Sequence, residues 1–210
     1  MIELFTSAFI TFLVIIDPPG CAPIFASLTA GTDAAHRRRM AVRSCLVAWC
    51  ILLFFALLGE PLLTHMGISL SAFRLAGGIM LFIIALEMVF EKRTERREER
   101  AEEILGTPEA DDISVFPMAI PMIAGPGSIA SIMLLNARAQ GLGESLVVIG
   151  AMTAVMLLTM IALLAAGPLM RFVGAKIEAM ITRILGVILA ALAAQFVIDG
   201  IRQGLPGLAG

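Results

Sequence analysis

The sequence predicts an all-α membrane protein of six transmembrane helices, and three observations carry that prediction. The 210 residues are 59% hydrophobic and only 15% charged, against about 25% charged residues in an ordinary soluble domain; the mean hydropathy is +0.96. Charge is also unevenly placed, with nine of the 17 acids and five of the 15 lysines and arginines lying between Glu91 and Asp112. Elsewhere the chain is a series of apolar runs, each near the roughly 20 residues that cross a bilayer. A soluble core of this length has no room for so many helices that are apolar all round.

The first span is expected over Leu4–Leu28. The chain opens Met1-Ile2-Glu3 with no basic region, and Asp17-Pro18-Pro19-Gly20 stands where a signal peptide would carry small residues for cleavage, so this segment is expected to remain as a helix. The second and third spans are expected over Met40–Leu63 and Ser69–Phe90. Cys21, Cys45 and Cys50 all fall in apolar segments. Their spacing suits neither a disulfide framework nor a zinc site, and they read as small hydrophobes. The stretch beginning EKRTERREERAEE at Glu91 reads as a solvated helix with opposite charges four residues apart. The last three spans are expected over Val115–Leu135, Glu144–Pro168 and Glu178–Gly200. The domain organisation is then one membrane domain over residues 1–210, with a three-helix half over 1–90, a charged cytoplasmic linker over 91–114 and a second three-helix half over 115–203.

Orientation follows from the basic residues, which collect in cytoplasmic loops. The first, third and fifth links with their edges hold eleven of the 15: Arg37, Arg38, Arg39 and Arg43; Lys92, Arg93, Arg96, Arg97 and Arg100; Arg171 and Lys176. The opposite side holds Arg138 and Arg202, and Arg74 and Arg183 lie inside spans three and six. The odd links are therefore expected in the cytoplasm and both termini outside.

The two halves echo each other. Asp17-Pro18-Pro19-Gly20 followed by Cys21 aligns with Ala124-Gly125-Pro126-Gly127 followed by Ser128, an offset of 107. Arg74-Leu75-Ala76-Gly77 aligns with Arg183-Ile184-Leu185-Gly186, an offset of 109. Three spans per half is an odd number, so the second half is expected upside down, as an inverted repeat.

Spans one and four are the ones expected to break near the midplane. Pro18, Pro19, Gly20 and Pro23 interrupt the first, and Pro117, Pro121, Gly125, Pro126 and Gly127 the fourth, each proline removing a backbone donor and clashing one turn back. Broken backbone at membrane depth survives only buried in protein or lining a wet cavity, and matched breaks point to a substrate site. The second half-helices, starting around Pro23 and around Ser128, should bring bare N–H groups and positive dipole ends to one region, which suits a carboxylate. Candidate substrate-binding residues are Asp17, Pro18, Gly20, Pro23, Gly125, Pro126, Gly127 and Ser128. Asp17 is the sole acid near the middle of a span, and a charge there costs at least about 2.5–3.5 kcal/mol on insertion scales. Its readings are a proton carrier, a sodium ligand, a partner for a substrate ammonium, a helix cap, or a partner of Arg74 or Arg183. Those two arginines are candidates for a gate or ion pair, or for interfacial anchors. No metal site and no catalytic cluster of His, Cys or acids is expected at membrane depth.

The segments DPPGCAPIFASLT, PMIAGPGSI, FRLAGGIMLFIIALEM and RILGVILAALAAQFVIDGI together resemble the MarC family of bacterial inner-membrane proteins, the UPF0056 group, over nearly the whole chain. The resemblance implies a multi-pass plasma-membrane protein related to transporters, including exporters, of small neutral amino acids; Asp17, Pro18, Gly20 and Pro23 match its first motif and Gly125, Pro126 and Gly127 its second. The family name, drawn from an antibiotic-resistance locus, does not establish drug efflux. The leading expectation is a secondary transporter of a small zwitterionic solute, with proton or sodium coupling and no other cofactor. The alternatives are a structural or regulatory membrane protein and a small channel. Expected partners are the bilayer, a small solute and further copies in a homo-oligomer. The net charge of −2 gives no nucleic-acid signal, and an ATP-driven pump is excluded by the lack of a GxxxxGK[ST] loop.

Overall fold

The protein is described by a computed structural model over residues 1–104 and 112–204, the side chains of residues 104 and 169–176 excepted. Every regular element among the described residues is helical. Helices α1 (Ile2–Ile16) and α2 (Pro18–Leu28) make up the first span and meet at Asp17. Asp17 has φ 57° and ψ 65°, the left-handed region, which a short polar side chain tolerates better than most. It ends α1 and caps α2. Pro18 and Pro19 then fill the first turn of α2, where a missing N–H costs no hydrogen bond and the fixed φ suits the helix. The second half-helix therefore starts at Pro18 rather than around Pro23, which lies inside α2.

The other proline-rich segment divides differently. Ser114–Ile123 is a widened coil with bonds that reach five residues back, Met118 N to Ile113 O at 3.2 Å and Ala124 N to Ala119 O at 2.9 Å. Phe116 and Ile120, each preceding a proline, are extended at φ −124° and ψ 127°, as the clash with the proline ring dictates. Helix α6 (Pro126–Asn136) follows at 56° to the coil. Asp112 ties down the start of this segment. Its carboxylate accepts from the Ser114 hydroxyl and pairs with Arg43, and these contacts, the Ser114 bond first, hold it below the usual carboxylate range.

The remaining helices are longer and more regular. They are α3 (Ala34–His65), capped by Asp33 on the His36 N–H; α4 (Leu70–Val89), capped by Ser69 on Ala72; α5 (Lys92–Ile104); α7 (Leu142–Leu164); and α8 (Ala166–Gly204). Helix α8 includes the link expected between spans five and six; the side chains of Arg171 and Lys176 lie outside the described residues. Among the described residues five spans are long and apolar enough to cross a membrane, with α1 and α2 counted together, and six if the bent pair of the Ser114–Ile123 coil and α6 is one span.

Burial sorts these spans into a centre and a rim. The α1–α2 span is 72% buried, whereas α3, α4, α7 and α8 range from 28% to 39%. Phe54 and Leu57 of α3, Leu157 and Ile161 of α7, and Ile184 and Val187 of α8 face outward, an apolar band that a bilayer would cover. Helix α1 packs on α7, and the Ser114–Ile123 coil packs on α3; α2 lies against α7 and α8, and α6 against α3 and α4. The most extensive helix–helix contact among the described residues is that of α4 with α8. A Cβ on Gly78 would stand 2.8 Å from Val197 N, and one on Gly200 2.8 Å from Leu75 N, so small residues set this approach.

Helix α5 departs from the expected solvated linker. Arg97 is 8% exposed and Ala101 2%, and the helix touches α2, α4 and the Ser114–Ile123 coil. One face of this charged helix is inserted into the bundle.

Candidate functional site

Asp17 lies 1% exposed at the joint between α1 and α2. Its Oδ1 accepts the Gly20 N–H at 3.2 Å, the capping bond that answers one of the bare amides of α2. Its Oδ2 takes Arg97 Nη1 at 3.1 Å. Gly20 has to be glycine for this pair to close. A Cβ there would fall 2.2 Å from Asp17 Oδ2 and 2.9 Å from Arg97 Nη1. Arg93, one turn before Arg97 and on the same face of α5, donates to Ile15 O at 2.7 Å. It thereby satisfies a carbonyl in the last turn of α1, at the negative end of that helix. Burial, with the neighbouring Arg97 charge adding, pushes the Arg93 guanidinium down to about 10, and it remains a cation at neutral pH.

A second buried acid joins this cluster. Glu178, 5% exposed, stands 3.2 Å from Thr182 Oγ1, which lies 3.4 Å from Asp17 Oδ1. One hydroxyl thus links two carboxylates. The local signal was a Glu and a Thr four residues apart at the start of the last span, too common a pairing to stand out.

The break before α6 carries no such charge. Gly125, its N-cap, has no side chain to offer, and a Cβ there would be 2.4 Å from Pro121 O. Ser128 Oγ donates to Ile123 O at 2.8 Å, and Cys21 Sγ lies 3.4 Å from Ile16 O. These two contacts are related by the same offset of 107 as the motifs, each reaching five residues back across its break. The first N–H bonded inside α6 is that of Ile129, to Gly125 O at 3.0 Å. The amides of Gly127 and Ser128 precede it and have no acceptor within the helix.

This end of α6 lines a cavity of 360 Å³. Gly125, Pro126, Gly127 and Ser128 line one side, with Ile15 and Ile84 beside them. Arg93, Arg96, Arg97 and Arg100 of α5 line another, with Glu87 as the acid among the lining residues. Arg96 pairs with Glu87 at 2.7 Å. Arg97 Nη2 is buried and has no hydrogen-bond partner among the described residues.

The structure thus gathers one half of the expected site at this cavity. Gly125, Pro126, Gly127 and Ser128 line it, while Asp17, Pro18, Gly20 and Pro23 do not, Asp17 and Gly20 lying next to Arg97 instead. Asp17 is a helix cap, one of its expected readings, and it pairs with Arg97 rather than with Arg74 or Arg183 as expected. Arg74 donates to Gln203 at the end of α8, and Arg183 pairs with Glu91 just past α4. Both arginines serve the α4–α8 contact away from Asp17. Sequence reasoning missed Arg97 and Arg93 because a helix of alternating charges has the same composition whether it is solvated or docked.

Known proteins place the chain. Residues 2–205 match the model of the MarC family integral membrane proteins. A UPF0056 membrane protein of Methanocaldococcus jannaschii is 37% identical over 97% of this chain and 98% of its own length. YvbG of Bacillus subtilis is 33% identical over 99% of both chains. The inner membrane protein YhgN of Escherichia coli K12 is 32% identical over 96% of this chain and 98% of its own. No solved structure matches. A helical bundle with an outward apolar band, the two proline–glycine motifs at its breaks and similarity along the whole length lead to one conclusion: this chain is a multi-pass integral membrane protein belonging to the MarC family.

Proposed function

We propose that the chain is a secondary transporter of small zwitterionic solutes, with neutral amino acids as the leading class. The observation that carries this reading is the uncapped start of α6, whose residues Gly127 and Ser128 line the 360 Å³ cavity. Its volume is at the small end of ligand sites, and its lining offers cations for a carboxylate and Glu87 for an ammonium.

The reading takes the chain as two three-span repeats of opposite orientation with breaks near the midplane. Three observations support that duplication. Contacts exchange between the halves: α1 with α7 answers the Ser114–Ile123 coil with α3, α2 with α7 answers α6 with α3, and α2 with α8 answers α6 with α4. Arg74 on α4 reaches Gln203 at the end of α8, and Arg183 on α8 reaches Glu91 just past the end of α4. Cys21 and Ser128 make equivalent contacts across their breaks. A repeat pair of this kind can rock about a fixed central site and expose it to either side in turn. Asp17 and Glu178, linked by Thr182, are the buried carboxylates available to carry a coupling proton or to meet sodium.

The purified protein in liposomes, loaded with unlabelled glycine or alanine, is expected to accumulate the labelled amino acid by counterflow, saturably and in response to an imposed proton or sodium gradient. Flux that never saturates, or no counterflow across a broad amino-acid panel, would end the transporter reading.

A further inference from the structure

The charged helix α5 contributes to the cavity a group for which the described residues supply no partner. Arg97 is 8% exposed, and its guanidinium is a rigid fork of donors. Nη1 is spent on Asp17 at 3.1 Å, while Nη2 is buried and unpartnered among the described residues. A buried donor left unmade is costly, and a charged one in a membrane protein more so. The same cavity receives the Gly127 and Ser128 end of α6, a positive dipole end with two amides that have no acceptor within the helix. The Ser128 hydroxyl is already given to Ile123 O, so the donors that remain are backbone N–H groups and guanidinium.

We infer that this cavity is an oxyanion site in which a carboxylate or phosphate bridges Arg97 Nη2 and the amides at the start of α6. Asp17 is the positioning residue that holds the guanidinium toward the cavity by its other nitrogen. The oxyanion has two sources, the carboxylate of a soluble solute or the phosphate of a lipid headgroup, since Ile83 on the cavity wall is half exposed on the outer face of α4. As a solute site the inference rests on the transport reading and assigns that site's ligand class, but it is tested by binding, without flux.

Binding to the full-length protein in nanodiscs is measured by calorimetry and thermal shift, with glycine, acetate, inorganic phosphate and, as the cationic control, methylammonium. Discs of phosphatidylcholine alone are compared with discs containing phosphatidylglycerol. Glycine or acetate binding in neutral discs, with none for methylammonium, supports the inference with a soluble source. Stabilisation by phosphatidylglycerol alone supports it with a lipid source. Binding should fall at least tenfold in Arg97→Gln. Because that change strands Asp17, the Asp17→Asn/Arg97→Gln double variant, which removes both charges, is expected to fold and still fail to bind, while Arg97→Lys retains partial binding. No response to any anion or to anionic lipid overturns the inference, as does undiminished binding in the folded double variant. A protein that counterflows amino acids yet shows neither anion response nor Arg97 dependence loses the oxyanion site and keeps the transport reading. One that binds without counterflow does the reverse.

Discussion

The two breaks in the bundle share a sequence pattern and differ in how they are closed. At Asp17 the chain turns through a left-handed residue, and the bare end of α2 is capped from within by Asp17, itself held by Arg97. At Gly125 the chain turns through an extended glycine with no side-chain cap, and the end of α6 borders a cavity. Both breaks obey the same local rule, prolines in the first turn of the second helix, and both carry a side-chain contact five residues back. What differs is one carboxylate. Where the N-cap is Asp17 the amide end is satisfied by protein; where the N-cap is Gly125 the end has no side-chain cap and lies beside the cavity.

The sharpest way to break that contrast is at the charged pair. Removing one member of a buried ion pair leaves the other uncompensated, which costs about 3–5 kcal/mol. Asp17→Asn and Arg97→Gln are each expected to lower stability by that order, and the double variant to recover most of it. A double-mutant cycle on melting temperature in detergent reads this directly. Additive losses would mean that the Asp17–Arg97 contact is incidental and that the first break is not sealed as described.

The glycines sharpen the comparison with a smaller effect. Overpacking a tight site costs about 1–3 kcal/mol. In Gly20→Ala the new methyl meets Asp17 Oδ2, and in Gly125→Ala it meets the Pro121 carbonyl; both variants are expected to melt earlier. Gly127→Ala is expected to cost less, because its methyl meets the movable side chains of Ile84 and Leu81. Equal losses at Gly125 and Gly127 would contradict this ranking.

The smallest expected difference lies at the matched positions 21 and 128. Ser128→Ala removes a buried hydroxyl bond worth about 1 kcal/mol, whereas Cys21→Ala removes only a weak thiol contact and is expected to cost less. Both are read as shifts in melting temperature, and a larger loss at Cys21 would show that the thiol contact at the first break outweighs the hydroxyl bond at the second.

Much of this molecule is determined one segment at a time, and that part was legible in the sequence. Apolar length marked the candidate spans because a bilayer demands about 20 residues to cross it, and clustered prolines and glycines lie where α1 gives way to α2 and where the chain bends before α6, because they interrupt the helical hydrogen-bond ladder. The offset of 107 paired positions that make matching contacts. What only the tertiary structure decided is which charge meets which. Asp17 finds its cation 80 residues away on α5 rather than on the arginines of spans three and six, and Glu178 comes near it through Thr182. The physical reason is that Coulombic partners are chosen by the docking of whole helices. Composition shows that α5 carries arginines; only the packed bundle selects the face bearing Arg93 and Arg97 and buries it against the first break.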